Sequence, residues 1–594
     1  MNTIEQNIID AICEALSGID LSSASVSLEY PADVSNGDYA SNVAMVLAKQ
    51  AGKNPRELAE RVVQHLPSIE GVVRVDVAGP GFINFTLSPD FFVQKIKEII
   101  VQGDTWGEGS TLKGQTWVIE HASPNPNKAM HIGHLRNCVI GMALIRITRA
   151  AGARVIADAV DNNRGIAIAK LMWGYVRFAK KDGDSSKTLS YWFTHQDEWH
   201  TPESKGMLPD RFIDELYVLG NEDFEKFLES EQAVRDLVVA WEAGDEATWA
   251  LWERVLEYSH RGQARTLARL GSVFDHWWHE HEHYQKGKEL VSEGLKKGIF
   301  RKLTEGGVLT NLEAYNIPDT IVEKKDGTSL YITQDIALTK LKKEKWKPDK
   351  MVWVVGPEQS LAMQQVFAVC EQLGIGTRDE FLHLPYGYMS IKGVGKMSSR
   401  KGTVVYVDEV IDATREKTLE LLKGRDVTDR EVLAEMLALG AIKYAILRSG
   451  RMRDIAFDRE NATRIEGDSG PYLQYAHTRA VSILRKAEAE GVANIWISDT
   501  RVLGEHPLGE RVLLERLLVR FPDVVARAQK EYEPHYITTY LTELAGAFNS
   551  WYAKEKIVDQ SDSTSPYKVA LTDAFRITMK NGLYLLGIEA PEKM

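Results

Sequence analysis

The sequence predicts a multidomain α/β protein, in which a doubly wound parallel sheet lies between an N-terminal α+β module and a C-terminal all-α bundle. Short apolar runs at Trp117–Ile119, Arg154–Val160 and Lys350–Val355 alternate with stretches of helical periodicity. That alternation is typical of parallel strands joined by crossover helices. Beyond about Gly440 only helical spacing remains. The length of 594 residues agrees with several domains.

The N-terminal module is predicted at residues 1–106. Apolar residues recur every four positions over Ile4–Leu16, as in an amphipathic helix. Apolar and polar residues alternate over Ile83–Leu87, which predicts a half-buried strand. The glycine-rich stretch Gly103–Gly114 predicts the end of the module.

The sheet-bearing domain is predicted at residues 107–440. It contains a tryptophan-rich, strongly charged and mainly helical stretch at about 183–298, which we interpret as an insertion in the sheet. The helical bundle is predicted at residues 441–594, where Leu473–Leu484 and Tyr536–Phe548 keep helical spacing.

Composition restricts the class of protein and its compartment. The net charge of −12 argues against an overall basic surface for nucleic acid, although local basic patches remain compatible with it. Cys13, Cys138 and Cys370 are far apart, so neither a disulfide framework nor a thiolate zinc site is expected. The N-terminus has no apolar leader, and no apolar run approaches the ~20 residues that span a bilayer. We therefore expect a cytoplasmic protein with no membrane partner.

One candidate site is the run Glu120–Asn137, where the first predicted sheet strand passes into a helix. It contains His131-Ile132-Gly133-His134. Free N–H groups and the helix dipole favour anionic phosphates at such a junction. Two imidazoles can donate hydrogen bonds to ATP phosphates, and the glycine lets a purine ring approach the backbone. The alternative is a helix N-terminus capped by two histidines.

A second candidate is the glycine-flanked segment Gly393–Gly402, which is dense in cations and hydroxyl groups. It reads Lys396-Met397-Ser398-Ser399-Arg400-Lys401. Lysines in such a loop can clamp a triphosphate and neutralise charge during adenylyl transfer. The alternative is a solvated basic loop.

Together these segments resemble the signatures of class I aminoacyl-tRNA synthetases. His131–His134 is similar to the HIGH motif, and the flanking Ser123-Pro124-Asn125 and Leu135-Arg136-Asn137 resemble its arginyl-tRNA synthetase form. Lys396–Lys401 is similar to the KMSKS loop, although Ser399 stands where the family has its second lysine. The resemblance implies a Rossmann-like catalytic domain and the catalytic residues His131, His134, Lys396 and Lys401. It implies ATP binding by His131, Gly133, His134, Lys396, Met397 and Ser398.

The resemblance also implies an arginine site. Tyr331 and Asp335 match residues that contact the guanidinium group, and they share one face if a helix begins at Tyr331. A carboxylate suits that group because it accepts two parallel hydrogen bonds. The other implied arginine-binding residues are Glu120, Ser123, Asn125 and Gln359. Ala362 departs from the histidine that many relatives have there. Taken singly, Asp335 is better interpreted as a helix N-cap.

Four histidines occur close together, at His276, His279, His281 and His283. Three at alternate positions would share one face of a strand, which is compatible with zinc. No distant fourth ligand has a recognisable spacing, and the alternative is a polar strand facing solvent or the cleft. We expect no protein-bound structural metal.

Both ends of the chain resemble tRNA-binding modules of the same family. The N-terminal module is similar to the domain that contacts the tRNA corner, with Asn36 and Tyr39 as candidates for an extruded base. The C-terminal module is similar to the anticodon-binding bundle, with Tyr552 and Met594 as candidate contacts. The alternatives are an ordinary loop and ordinary core residues.

The resemblance covers essentially the whole chain and implies an arginine–tRNA ligase. Arginine and ATP, entering as its Mg²⁺ complex, would give arginyl-adenylate, and the arginyl group would pass to the terminal adenosine of tRNA(Arg). Family behaviour implies activation only with tRNA bound, and we expect a monomer. Two alternatives stay open: a class I synthetase for another amino acid, and an inactive paralogue that only binds tRNA.

Overall fold

The structure, a computed structural model, describes residues 4–22, 26–31, 33–325, 330–393, 404–424, 427, 429–492, 508 and 512–594. In the described part, no helix is both long and apolar enough to cross a bilayer.

The N-terminal part is a four-stranded antiparallel sheet with packed helices. Its elements are α1 (Ile4–Ser17), β1 (Leu28–Glu29), β2 (Tyr39–Ser41), α2 (Val43–Ala51), α3 (Pro55–Gln64), β3 (Val72–Ala78), β4 (Phe82–Leu87) and α4 (Pro89–Gln102). The strand order is β1-β2-β4-β3. Apolar residues along one stripe of α1 are buried, as its periodicity predicts. The predicted half-buried strand is β4, but both of its faces are covered, so even Asn84 and Thr86 are buried.

The central part is built on a five-stranded parallel sheet. In chain order its elements are β5 (Thr116–Glu120), α5 (Ile132–Ala150), β6 (Arg154–Asp161), α6 (Ile166–Phe178), α7 (Leu189–Thr194), α8 (Pro202–Lys205), α9 (Pro209–Lys226), α10 (Leu228–Ala243), α11 (Glu246–Leu270), β7 (His276–His279), α12 (Glu280–Lys296), β8 (Arg301–Lys302), β9 (Val308–Leu309), β10 (Ile321–Glu323), α13 (Tyr331–Trp346), β11 (Lys350–Trp353), α14 (Ser360–Leu373), β12 (Phe381–His383), β13 (Met389–Ile391), α15 (Val407–Leu421), α16 (Arg430–Leu447), β14 (Ile455–Phe457) and α17 (Arg459–Ala462).

The topology of this sheet determines where a ligand can bind. The strand order is β12-β11-β5-β6-β7, and every neighbouring pair is parallel. The chain runs outward from β5 through β6 to β7 and then returns to the other side of β5. The order therefore reverses between β5 and β11, and the carboxyl ends of these strands border the crevice in which open α/β sheets bind ligands.

Helices α7 to α11 form a separate tryptophan-rich layer beside the sheet. Trp192, Trp199, Trp241 and Trp252 are buried together in its core. The range predicted as an insertion, 183–298, also contains the sheet strand β7 and helix α12. The sequence did not reveal β7 as a sheet strand because its histidines and the following glutamates hide any apolar run.

The C-terminal part is helical, with α18 (Gly470–Ala489), α19 (Leu513–Val519), α20 (Phe521–Glu531), α21 (His535–Tyr552) and α22 (Ser565–Leu585). Its core is continuous with the apolar layer around α5. Helix α16 crosses the boundary predicted at residue 440, and β14 pairs with β13. A buried ion pair joins the two ends of the chain, with Arg516 Nε 2.6 Å from Asp38 Oδ1.

Candidate active site

The turn that leaves β5 is held in an uncommon backbone conformation. Ala122 and Ser123 have φ angles of 64° and 43°, which side chains other than glycine rarely adopt. Asn137 of α5 stabilises this turn: its Oδ1 accepts the Ala122 N–H (2.6 Å) and its Nδ2 donates to the Val354 carbonyl (2.7 Å). One side chain therefore joins β5, α5 and the end of β11 around the crevice.

Helix α5 begins at Ile132, with His131 as its N-cap and the two motif histidines capping the first turn. His131 Nδ1 accepts a hydrogen bond from the Gly133 N–H, and His134 Nδ1 accepts one from the His131 N–H. The nitrogen–nitrogen distance is 3.1 Å in both. The capping interpretation is therefore realised in this structure. It leaves the other ring nitrogens available for phosphate binding.

Burial keeps both of these imidazoles neutral at physiological pH. It lowers the pKa of His134 to about 3, and the nearby His131 and Lys128 act in the same direction. Burial also lowers the pKa of His131. Because each neutral ring accepts a hydrogen bond at Nδ1, its proton resides on Nε2. Each ring therefore has one N–H that can donate to an anionic oxygen.

The chain after the second motif is paired with the first motif. Ile132 N–H donates to the Val405 carbonyl (3.1 Å) and Val407 N–H donates to the Met130 carbonyl (3.0 Å). These bonds flank an antiparallel bridge between His131 and Tyr406. The predicted residues Lys396, Met397, Ser398 and Lys401 lie outside the described residues.

Two partly buried carboxyl groups, Asp335 and Glu280, lie near the end of β5 and within electrostatic reach of each other. Burial, followed by the charge of Glu120, raises the pKa of Asp335 to about 7, although Lys342 acts in the opposite direction, and Glu280 adds a smaller upward shift. Burial likewise raises the pKa of Glu280 to about 7, although Arg164 lies 3.7 Å away and acts in the opposite direction. A permanent cation bound between these carboxyl groups would favour their ionised forms. The sequence did not indicate Glu280, which lies at the first position of α12.

Glu120 is already part of a buried ionic network. Lys342, only 1 % exposed, has its Nζ 2.7 Å from Glu120 Oε2 and 2.7 Å from Asp158 Oδ2. Ser123 Oγ donates to the other Glu120 oxygen (3.2 Å). Trp278 Nε1 donates to Asp158 (3.0 Å). The network holds Glu120 in place beside the carboxyl pair, and no local pattern in the sequence indicates Lys342 because its partners are distant along the chain.

The remaining predicted arginine-binding residues lie around the same edge. Helix α13 begins at Tyr331, so Tyr331 and Asp335 share one face as predicted, with the Tyr331 side chain 75 % exposed. The backbone carbonyl of Asn125 accepts a hydrogen bond from the side-chain amide of Gln263 (3.0 Å). Gln359 is exposed at the end of a short 3₁₀ turn.

The histidine cluster does not form the predicted single strand. Only His276–His279 is extended, and His281 and His283 belong to α12. The prediction of one shared strand face is therefore wrong, because the alternation continues into a helix. His279 Nδ1 and His260 Nε2 lie 2.8 Å and 3.0 Å from the buried Asp161 carboxylate.

The candidate tRNA contacts differ in exposure. Asn36 is exposed, but Tyr39 is 3 % exposed with its ring 5.2 Å from that of Tyr30. The prediction that Tyr39 receives a base is wrong for this structure, because β2 pairs with β4 and turns the ring into the core. Tyr552 is 40 % exposed, with the Arg479 guanidinium 5.3 Å from its ring centroid. Met594 is half-buried against an apolar cluster beside α15 and α16.

Comparison with known proteins identifies three family models along the chain. They are the arginyl-tRNA synthetase N-terminal domain at residues 2–87, the class I (R) tRNA synthetase catalytic domain at 95–165 and 189–459, and the DALR anticodon-binding domain at 473–594. The parallel sheet, the histidine pair after its central strand and the catalytic-domain match define a class I aminoacyl-tRNA synthetase.

Relatives that match along their full length show which family within this class the chain belongs to. The arginine–tRNA ligase of Bacteroides fragilis is 30 % identical over 100 % of both chains, and that of Treponema denticola is 31 % identical over 96 % of this chain and 95 % of its own. The chain therefore belongs to the arginyl-tRNA synthetase family. The Thermus thermophilus arginyl-tRNA synthetase structure shares the fold, with a TM-score of 0.79 and 24 % identity over 99 % of this chain and 100 % of its own.

Proposed function

We propose that the protein is an arginine–tRNA ligase whose arginine pocket is formed by Asp335 and Glu280 beside the Glu120 network. The observation that carries this assignment is the pair of partly buried carboxyl groups, Asp335 and Glu280, whose pKa values are raised to about 7 near Glu120 at the carboxyl end of β5. Two acids without a fully compensating cation are costly to ionise in isolation, and a guanidinium group offsets that cost through parallel hydrogen bonds. Lysine has no planar fork, and an apolar amino acid would leave the carboxylates unpaired.

The other predicted site residues complete the proposal. Tyr331 lies at the rim and would close over the guanidinium group, while Ser123, Asn125 and Gln359 would hold the α-amino and carboxylate groups. The carboxylate oxygen of arginine attacks the α-phosphorus of ATP, and the bond to pyrophosphate breaks. The Nε2 protons of His131 and His134 are suited to stabilise the phosphate oxygens as charge develops.

ATP enters as its Mg²⁺ complex, in which phosphate oxygens and water can supply the ligands of the metal. We assign Lys396 and Lys401 to the leaving pyrophosphate, and Met397 and Ser398 to the ATP site, on the family resemblance. In the second step a ribose hydroxyl of the terminal adenosine attacks the adenylate carbonyl carbon, and AMP leaves. Neither step needs a covalent enzyme intermediate, so positioning and electrostatics account for the rate.

The proposed modules follow the division 1–106, 107–440 with its insertion, and 441–594. Residues Asn36 at one end and Tyr552 and Met594 at the other are assigned to tRNA(Arg). Tyr39 is assigned to the core of its module rather than to the RNA. We further propose a cytoplasmic monomer in which tRNA binds before arginine is activated.

The test is ATP–pyrophosphate exchange with each amino acid, in the presence and absence of unfractionated tRNA. Exchange with arginine alone, and only with tRNA, is the expected result. Arginine exchange without tRNA would retain the ligase but remove the proposed order of binding. Exchange with a different amino acid would reassign the pocket, and no exchange at all would favour a tRNA-binding paralogue.

A further inference from the structure

One face of helix α9, from the tryptophan-rich layer, lies along the candidate ATP site. Arg211, Asp214 and Tyr217 follow one another at three-residue intervals and share that face. The Lys128 ammonium lies 5.3 Å from the ring centroid of Tyr217. The Asp214 charge is close enough to His131 to act on its pKa. Helix α9 thus contacts the chain just before the histidine motif.

The same face also holds Tyr406, the N-cap residue of α15. The Tyr406 hydroxyl donates a hydrogen bond to Asp214 Oδ2, with an oxygen–oxygen distance of 2.5 Å. The Arg211 guanidinium carbon lies 3.1 Å from the centroid of the Tyr406 ring. Arg211 also reaches Glu409 at 3.2 Å, one turn further along α15. Burial and the Asp214 hydrogen bond raise the pKa of the Tyr406 hydroxyl, so it stays a donor throughout the physiological range. The tyrosine side chain is therefore fixed at both its ring and its hydroxyl.

The backbone of Tyr406 transmits that position to the histidine motif. Tyr406 and His131 form an antiparallel bridge, flanked by the hydrogen bonds of Ile132 to Val405 and of Val407 to Met130. The first N–H of α5 is thus satisfied by the segment that carries Tyr406. Because these backbone hydrogen bonds join the two segments directly, we expect a displacement of Tyr406 to displace His131 as well.

We propose that Asp214 and Tyr406 are a positioning pair for ATP activation, through which α9 sets the placement of His131. This inference rests on the proposed ligase function, because it assigns the pair to the ATP half of that reaction. The pair touches no reacting atom and acts only through the histidine motif. Displacement of a catalytic group by about 1 Å costs roughly 100-fold in rate, so a neighbour that fixes the motif has a measurable effect.

The fold of α9 does not depend on this pair. Phe212, Ile213 and Leu216 bury the opposite face of the helix in the tryptophan-rich core. Gly174 of α6 and Gly220 of α9 let these two helices approach closely, since a Cβ atom at either position would clash with the backbone of the other helix. Removing one exposed-side hydrogen bond should therefore leave the layer folded.

The experiment compares Tyr406→Phe, Asp214→Ala and the double variant in the tRNA-supplemented exchange assay. Tyr191→Phe is the matched control, since its hydroxyl bonds to Glu198 (3.1 Å) in the same layer but away from the site. Each single variant should lower kcat/KM for ATP by about tenfold, with KM for arginine changed less than about twofold. The double variant should be little worse than either single one, because both remove the same contact. The control should match the wild type.

Binding of a non-hydrolysable ATP analogue, followed by calorimetry, gives a readout that does not need turnover. Weaker analogue binding by both single variants, with unchanged thermal unfolding, supports the pair. Unchanged kinetics and analogue affinity would overturn the inference while leaving the ligase intact. Equal losses for ATP and arginine, accompanied by a lowered Tm, would also overturn it and indicate a purely structural contact. If the wild type binds the analogue but shows no exchange, the proposed ligase function is refuted. The analogue affinities of the variants then still test whether Asp214 and Tyr406 position the ATP site.

Discussion

Arginine affinity should depend steeply on pH, because the two carboxyl groups that we propose bind the guanidinium group have raised pKa values. Burial is the main factor that raises the pKa of both Asp335 and Glu280 to about 7. The guanidinium group is always charged and favours their ionised forms. Binding therefore releases protons wherever either carboxyl group is protonated in the free protein, and affinity falls as the pH falls through their free-state pKa.

The magnitude follows from linkage. For one group with a free-state pKa of about 7, the apparent Kd rises about tenfold between about pH 8 and about pH 6. Two independent groups would give about 100-fold. Because Asp335 and Glu280 influence one another, we expect a value between these limits.

The assay is isothermal titration of arginine at several pH values, in two buffers with different ionisation enthalpies. Asp335→Asn and Glu280→Gln should each weaken binding and each reduce the pH slope, since an amide cannot release a proton. Glu282→Gln is the matched control, because Glu282 lies on the same helix but is exposed. A Kd that stays within about twofold over this range, without proton release, would refute the assignment of these carboxyl groups to the guanidinium site.

Three further predictions concern stability and tRNA binding. Lys342→Met should destabilise the protein by about 3–5 kcal/mol in urea unfolding, because buried carboxylates lose their cation, and an unchanged midpoint would contradict this. Arg516→Ala should cost a similar ~3–5 kcal/mol by removing the cation that pairs with the buried Asp38 carboxylate, whereas the control Arg485→Ala removes an exposed ion pair worth below about 1 kcal/mol. Equal losses in that comparison would show that burial of the pair is unimportant. Tyr552→Ala should raise KM for tRNA by about tenfold, because stacking of an aromatic ring on a base is worth about 1–3 kcal/mol. A change below about twofold would show that Tyr552 does not stack on a base.

Local patterns predicted much of the fold. The four-residue apolar repeat of α1 and the short apolar runs of β5, β6 and β11 lie where the sequence predicts them. The arrangement of His131 and Gly133 at a strand-to-helix junction is also local, because capping depends only on residues within one turn. These features were accessible because periodicity and caps involve residues that are neighbours in the chain.

Other features were hidden because their partners are far apart in sequence. The polar strand β7 joins the sheet only through its pairing with β6, so no apolar run indicates it. The sequence predicts Tyr39 as an aromatic contact for an RNA base, yet its pairing in β2 directs the ring inward. Glu280 gave no signal either, since its importance depends on its proximity to Asp335.

The sequence by itself determined the order of the modules, the family signatures and the chemical types of the site residues, because these are encoded in short stretches of chain. Only the tertiary structure decided which charges are paired. Lys342 and Glu120 are 222 positions apart, and Tyr406 and Asp214 are 192 apart. Such pairs are selected by the packing of helices against the sheet, and burial then decides how strongly each charge acts on its neighbour.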